Sequence, residues 1–271
     1  DGLYESGIQT VVGRQEGGVA MMAEASGKLT GRPGIAFVTR GPGASNASAG
    51  IHIAFQDSTP MILFVGQVDS SHRDREAFQE VDYKKMFSPL AKWVAEIDNI
   101  ERLPEYISKA FNIALSGRPG PVVLSLPEDT LFAKADIPDA PKVNPSKQMV
   151  SEEDVNEVID KLKLAKNPFI IVGGSGWSSE AAENLGKFAK SMGIPVGTSF
   201  RCQDYLDNRH PNYVGDVGIG INPALLKRIK LADCVLVLNA RLGEMTTGGY
   251  SMFDIPKPRQ YLIHIHRLLN I

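Results

Sequence analysis

The chain has 271 residues, of which 43% are hydrophobic and 22% charged, with a formal net charge of −2. This is a globular composition, long enough for one large α/β domain or two ordinary ones, and its charge gives neither nucleic acid nor an anionic membrane a reason to bind. No apolar run approaches the roughly 20 residues that a bilayer-spanning helix needs, so neither nucleic acid nor membrane is an expected partner. Cys202 and Cys234 fit no metal spacing. Buried thiols in a reducing compartment are the simpler reading, and the cytoplasm is the expected location.

The run Leu3-Tyr4-Glu5-Ser6-Gly7 reads as the last turn of a helix closed by glycine. Strands are then predicted over residues 8–13, 34–39, 61–66 and 121–126, with helices over 18–29, 44–56 and 100–116. The strand runs Ile-Ala-Phe-Val and Met-Ile-Leu-Phe-Val are apolar almost throughout, as in a parallel sheet covered on both faces. From 132 to 148 the texture changes to Ala, Pro, Asp and Lys, which suits an extended linker. Ser151 followed by Glu-Glu-Asp starts a new helix. Further strands are predicted over 169–173, 194–199, 234–239 and 261–265, and helices over 179–192 and 223–229. The expected fold class is α/β, as two doubly wound parallel-sheet domains. The boundaries read from this pattern are 1–135 for the first domain, 136–150 for a linker and 151–271 for the second. Both ends look cut from a longer protein, since a buried-looking strand stops six residues short of the last one.

Five runs in the first domain carry polar groups at strand ends or helix starts. The first is Arg14-Gln15-Glu16-Gly17-Gly18, where a carboxylate sits between a strand and a helix, the end of an open α/β sheet at which ligands bind. Taken alone, Glu16 reads first as a helix-start acid held by the macrodipole, since acids at helix starts are common. The second is Thr39-Arg40-Gly41-Pro42-Gly43-Ala44-Ser45-Asn46, a tight turn opening a helix. Gly66-Gln67-Val68, Ala77-Phe78-Gln79-Glu80 and Gly117-Arg118-Pro119-Gly120-Pro121-Val122 complete the set, the last feeding a strand that runs into Glu128.

In this order the five runs resemble the pyrimidine-binding domain of thiamine diphosphate (ThDP)-dependent enzymes, particularly the acetolactate synthase-like group. The resemblance covers nearly all of the first half. It implies that Glu16 is the catalytic carboxylate that bonds N1′ of the aminopyrimidine and favours its imino tautomer. A carboxylate buried there has a raised pKa. Gly43, Ser45, Asn46 and Gln67 are implied near the cofactor, and Arg40, Phe78, Gln79 and Glu128 in the substrate region. Arg40 replaces a small residue common in acetolactate synthases, and Glu128 stands where that group often has a lysine. Both departures warn against copying the substrate.

The second half resembles, more loosely, the Rossmann-like central domain of the same enzymes. Val172-Gly173-Gly174-Ser175-Gly176-Trp177 follows a strand and precedes a helix, but it gives only Gly-x-Gly, and no acid ends the next strand to hold a ribose. NAD is therefore not expected. Acetolactate synthases hold an FAD in this domain, and Arg118, Gly173, Gly174, Gly218, Asn239 and Arg241 match regions that approach it. Other members keep the fold without FAD, so both readings stand. His264 and His266 alternate on a strand without a third ligand spaced to join them, and no metal site is expected in this chain.

The family holds diphosphate and Mg²⁺ in a third domain through Gly-Asp-Gly and a later Asn, and no such Gly-Asp-Gly occurs here. The first segment of the pyrimidine-binding domain is absent as well. The resemblance thus implies ThDP with Mg²⁺ held by a missing domain, a second subunit in a homodimer or homotetramer, and a small 2-oxo acid substrate. A carboligase/decarboxylase of the acetolactate synthase type is expected, inactive as this piece alone. The alternatives are a decarboxylase or lyase of the benzoylformate or oxalyl-CoA type, and a non-catalytic nucleotide-binding α/β protein.

Overall fold

In the computed structural model, which describes residues 2–4, 6–145 and 149–266, the chain divides into two units, Asp1–Ser146 and Lys147–Ile271. Unit 1 runs α1 (Glu16–Thr30), β1 (Gly34–Val38), α2 (Pro42–Asp57), β2 (Met61–Gln67), α3 (Tyr83–Phe87), β3 (Trp93–Glu96), α4 (Leu103–Leu115), β4 (Pro121–Pro127) and α5 (Glu128–Phe132). Its four strands are all parallel in the order β1-β2-β4-β3. The central strands β2 and β4 are buried along nearly their whole length, which is why their sequences are continuously apolar instead of alternating. One face packs Met61, Leu63, Val65 and Val123 against α1, α2 and α3. The other packs Ile62, Phe64, Val122 and Leu124 against Ala110 and Ala114 of α4. Helices on both faces make the sheet doubly wound, as the alternating pattern implies.

Unit 2 repeats the plan with α6 (Glu152–Leu164), β5 (Pro168–Val172), α7 (Ser179–Met192), β6 (Val196–Ser199), β7 (Tyr213–Val217), α8 (Pro223–Leu231), β8 (Cys234–Leu238), α9 (Glu244–Thr247) and β9 (Tyr261–Ile265). Its five parallel strands lie in the order β7-β6-β5-β8-β9. Leu162, Leu185 and Ala189 cover one face, and Leu225 and Ile229 the other. Ser151 caps α6 by accepting from the Asp154 amide, as its acidic first turn suggests.

Residues 8–13 form no strand. A strand needs a neighbouring backbone to bond to, and this run joins no ladder; Ile8, Val11 and Val12 are 63%, 67% and 90% exposed. The fourth place in the sheet belongs to β3, whose four residues are too few to show a period. The five-residue β7 gives no strand signal because it is mostly partly exposed and not apolar throughout. Leu3 and Ser6 close a single turn rather than a helix end, and Glu5, read as part of that helix, lies outside the described residues, as do 146–148 of the linker and 267–271.

Candidate active site

Glu16 is the first residue of α1, two residues earlier than the sequence pattern suggests, because Gln15 acts as N-cap. Gln15 is extended, and its Oε1 accepts from the Gly18 amide at 2.9 Å. The α1–α2 contact is built from small residues. A Cβ added at Gly50 of α2 would lie 2.5 Å from Ala20 Cβ and 2.8 Å from the Ala20 carbonyl carbon. This close approach sets the first turns side by side, and Asn46 Nδ2 donates to Glu16 Oε2 at 3.0 Å. The Asn46 bond, followed by the backbone amide of Glu16 itself, holds the carboxyl below the ordinary glutamate value. The raised pKa expected for a buried carboxylate is thus corrected for this chain: Glu16 is only partly buried, so hydrogen bonds to the anion outweigh desolvation.

The turn before α2 is held from beneath. Gly41 has φ +56°, and a Cβ there would lie 2.8 Å from Gln79 Cβ and 3.0 Å from the Gln79 carbonyl oxygen. The Gly41 amide donates to the buried Tyr83 hydroxyl at 2.8 Å, and that hydroxyl donates to the Gly66 carbonyl at 3.2 Å. Burial pushes the Tyr83 phenol above its usual range. Gly43 is buried against Thr39. Ser45 is exposed in the first turn, its amide bonded to the Gly41 carbonyl at 3.0 Å. Gln67 lies beneath the rim, donating to the Val81 carbonyl at 2.8 Å and accepting from the Val68 amide at 2.9 Å.

The loop carrying Phe78 and Gln79 is pinned by an ion network. Arg73 Nη2 donates to both Glu96 carboxylate oxygens at 2.7 and 2.6 Å and Arg73 Nε lies 3.9 Å from Glu80, while Ser125 donates to Glu96 at 3.0 Å. Glu80 also accepts from the amides of Asp74 and Ala77. Gln79 adopts φ +66°, and Phe78 is 79% exposed beside it. Arg40 and Glu128, at the carboxyl ends of β1 and β4, pair at 3.3 Å. The sequence reading missed Gln15, Tyr83 and Arg73. Gln15 carried a signal, a polar residue just before the first helical position; the other two work through distant partners.

Of the residues matched to a flavin region, Arg118, Gly173, Gly174 and Asn239 are hydrogen-bonded within their own units. Arg118 lies at the amino-terminal side of β4, where it donates to the Ser58 hydroxyl at 2.8 Å and to the Phe55 and Gln56 carbonyls at the end of α2. In unit 2 the turn after β5 has its carbonyls tied down. Trp177 Nε1 donates to Gly173 at 2.8 Å, the Tyr205 hydroxyl to Gly174 at 2.6 Å, and Asn239 Nδ2 to Ser175 at 2.7 Å. Gly218 packs against Asp216 and Phe200, and Arg241 is half-buried beyond β8. The first turn of α7 is capped by Ser178, which accepts from the Ala181 amide. This arrangement does not fit a dinucleotide turn, whose helix begins directly at the phosphate. His264 Nε2 lies 2.8 Å from the Ala240 carbonyl, and among the described residues no group of three His, Cys, Asp or Glu is placed to hold a metal ion.

At the ThDP-binding candidate the fit is better. Asn46 occupies Glu16 Oε2, and the carboxylate stands at the ligand-binding end of the sheet, with an anionic oxygen to offer a ring nitrogen.

Comparison with known proteins agrees. Residues 1–86 match the family model "Thiamine pyrophosphate enzyme, N-terminal TPP binding domain", and residues 155–268 match "Thiamine pyrophosphate enzyme, central domain". The acetolactate synthase large subunit of Corynebacterium glutamicum is 32% identical over 269 residues, covering 97% of this chain and 42% of that protein. The mitochondrial acetolactate synthase of Schizosaccharomyces pombe is 34% identical over 267 residues, 93% of this chain and 40% of that protein. Among solved structures, the thiamine diphosphate-dependent 4-hydroxybenzoylformate decarboxylase of Rhodococcus jostii RHA1 matches with a TM-score of 0.80 at 26% identity, over 95% of this chain and 49% of that one. The chain therefore spans less than half the length of these relatives. It belongs to the thiamine pyrophosphate enzyme family, carrying that family's N-terminal TPP binding domain and its central domain.

Proposed function

We propose that the protein containing this chain is a ThDP-dependent enzyme acting on a 2-oxo acid, a carboligase/decarboxylase of the acetolactate synthase type. The observation that carries this reading is the Glu16 carboxylate at the start of α1, oriented by Asn46 at 3.0 Å. ThDP, when bound, supplies the electron sink for the carbanion left on breaking the bond between carboxyl and carbonyl carbons. Glu16 exchanges a hydrogen bond and a proton with the aminopyrimidine N1′, and Asn46 keeps the carboxylate from turning away. In the isolated chain the carboxyl is held low; covering it from solvent raises its pKa toward that of a proton-transfer partner.

The rest of the site follows the same reading. Gly43, Ser45 and Gln67 shape or support the cofactor side of the rim, while Arg40, Phe78, Gln79 and Glu128 face the substrate. The diphosphate and its Mg²⁺ belong to sequence outside this chain, in keeping with its share of the relatives' length. A second copy of the subunit supplies the cover over Glu16, in a homodimer or homotetramer. The buried thiols Cys202 and Cys234 fit a reducing, cytoplasmic setting. No helix among the described residues is long and apolar enough to cross a membrane. FAD is not part of the proposed reaction; Arg118, Asn239 and the Gly173 and Gly174 carbonyls, matched to its region, are engaged inside their own units. A second reading, simple decarboxylation of an aryl 2-oxo acid, is favoured by the structural match to the Rhodococcus jostii decarboxylase.

Glu16→Gln in the full-length protein tests the proposal. ThDP-dependent release of CO₂ from 2-oxo acids is expected to fall about 10²–10⁴-fold, and unchanged turnover would refute the role. Product analysis with pyruvate separates the two readings, since a carboligase joins two substrates and a decarboxylase releases an aldehyde. Calorimetry on this chain alone is expected to show no micromolar ThDP binding.

A further inference from the structure

The carboxyl-end rim of unit 1 carries two arginines held in very different ways. Arg73 is half-buried, its Nη2 bonded to both Glu96 oxygens and its Nε facing Glu80, so it serves the loop. Arg40 meets one acceptor among the described residues, Glu128 Oε2, in a single contact at 3.3 Å. The two side chains of that pair are 29% and 50% exposed. A guanidinium has five N–H donors in a planar fork, so most of the Arg40 donors remain available. Nearby acids do not compete for them. Asp129 accepts from the Ser70 amide and hydroxyl at 3.0 and 3.1 Å, and Glu80 is engaged with Asp74, Ala77 and Arg73.

Position matters as much as pairing. Arg40 immediately precedes Gly41, whose turn is packed on Gln79, and α2 then leads within one turn to Asn46 and the carboxylate it holds. Glu128 opens α5 at the end of β4, and β2 lies between β1 and β4. The ion pair therefore spans the end of the central strand on the rim that bears Glu16.

We propose that Arg40 is a specificity-determining residue, which takes a second anionic group of the substrate, and that Glu128 is its exchangeable resting partner. The substrate class is then a 2-oxo acid with an additional carboxylate, in place of a purely apolar side chain. A partly exposed ion pair with a single contact, half open to water on the Glu128 side, is worth about 0–1 kcal/mol, so an incoming carboxylate that binds the fork through two parallel bonds displaces Glu128 at little cost. Displaced, Glu128 is half-exposed and returns to water rather than to a buried site. The inference rests on the ThDP reading and narrows its substrate.

The test uses the full-length protein with ThDP and Mg²⁺ and two five-carbon probes, 2-oxoglutarate and 2-oxopentanoate. The readout is the ratio of their kcat/KM values for wild type, Arg40→Ala and Glu128→Gln. Wild type is expected to favour 2-oxoglutarate at least tenfold. Arg40→Ala is expected to lower the ratio about tenfold or more, chiefly through KM for the dianion, and Glu128→Gln to raise it. The wild-type preference is also expected to shrink with added salt. Turnover of both probes with no preference, or with a ratio that neither variant moves, overturns this inference alone. Turnover of neither probe, together with indifference to Glu16→Gln, counts against the ThDP reading and removes this inference with it.

Discussion

Asn46 Nδ2 donates to Glu16 Oε2 at 3.0 Å, so a side chain from the second helix fixes the acid at the start of the first. Asn46→Ala is expected to raise the Glu16 pKa toward the ordinary glutamate value, 4.5, since the larger of its two lowering hydrogen bonds is lost. A carboxyl held low in the folded state contributes stability that is present above its unfolded value and lost as pH falls through the folded one. The variant should therefore lose less stability on acidification between pH 4.5 and the lower folded value. Carboxyl-detected NMR titration reads the pKa directly, and an unchanged value would mean that Asn46 does not hold the anion.

Gly50→Ala should separate the two helices that carry this pair. The new methyl group would meet Ala20 Cβ at 2.5 Å and its carbonyl carbon at 2.8 Å, neither of which can yield without moving the helix. Overpacking of this kind costs about 1–3 kcal/mol. Chemical denaturation measures the loss, and in the full-length enzyme turnover should fall with it because Glu16 and Asn46 no longer meet.

Tyr83→Phe removes a buried hydroxyl that bonds both the Gly41 amide and the Gly66 carbonyl. Leaving such groups unsatisfied costs about 1–3 kcal/mol, visible as a lower denaturation midpoint. A phenol whose folded pKa lies above its ordinary value of 10.0 stabilises the fold fully below pH 10 and loses that contribution as pH rises through the folded value. The wild type should accordingly show an alkaline loss of stability above pH 10 that the phenylalanine variant lacks.

Lys92 behaves in the opposite sense. Its ammonium donates to the Ser116 carbonyl at 2.7 Å and to that of Ile113, at the end of α4, but burial, aided by the Arg118 charge, lowers its pKa to about 8 from 10.5. Between those values the unfolded chain binds more protons, so stability rises with pH over the window from about 8 to 10.5. Lys92→Met is expected to abolish that rise in a pH series of denaturation curves; a slope that persists would locate the titrating group elsewhere.

Much of the architecture was legible because parallel strands buried on both faces must be apolar throughout. Met61–Gln67 and Pro121–Pro127 could be read as central strands for that reason. Residues 8–13 show the limit of that rule. Ile8, Val11 and Val12 are β-branched or apolar, yet they are exposed, because propensity does not provide the neighbouring strand that a ladder requires. Trp93–Glu96 is the converse, a short run made a strand by β4 beside it.

The position of Glu16 at a helix start, and the order of the glycine-rich runs around it, followed from the sequence alone, although the strand read before it does not form. They depend on residues close together in the chain. Its partner and its charge state did not: Asn46 lies 30 positions away, and only the crossing of α1 and α2 over Ala20 and Gly50 brings the two together. Arg40 and Glu128, each odd when read singly, are 88 positions apart and become one ion pair when β1 and β4 are set on either side of β2. Local sequence determines which groups are present at a strand end; packing at distances the chain does not encode locally determines which of them touch, and hence the protonation and exchangeability of each.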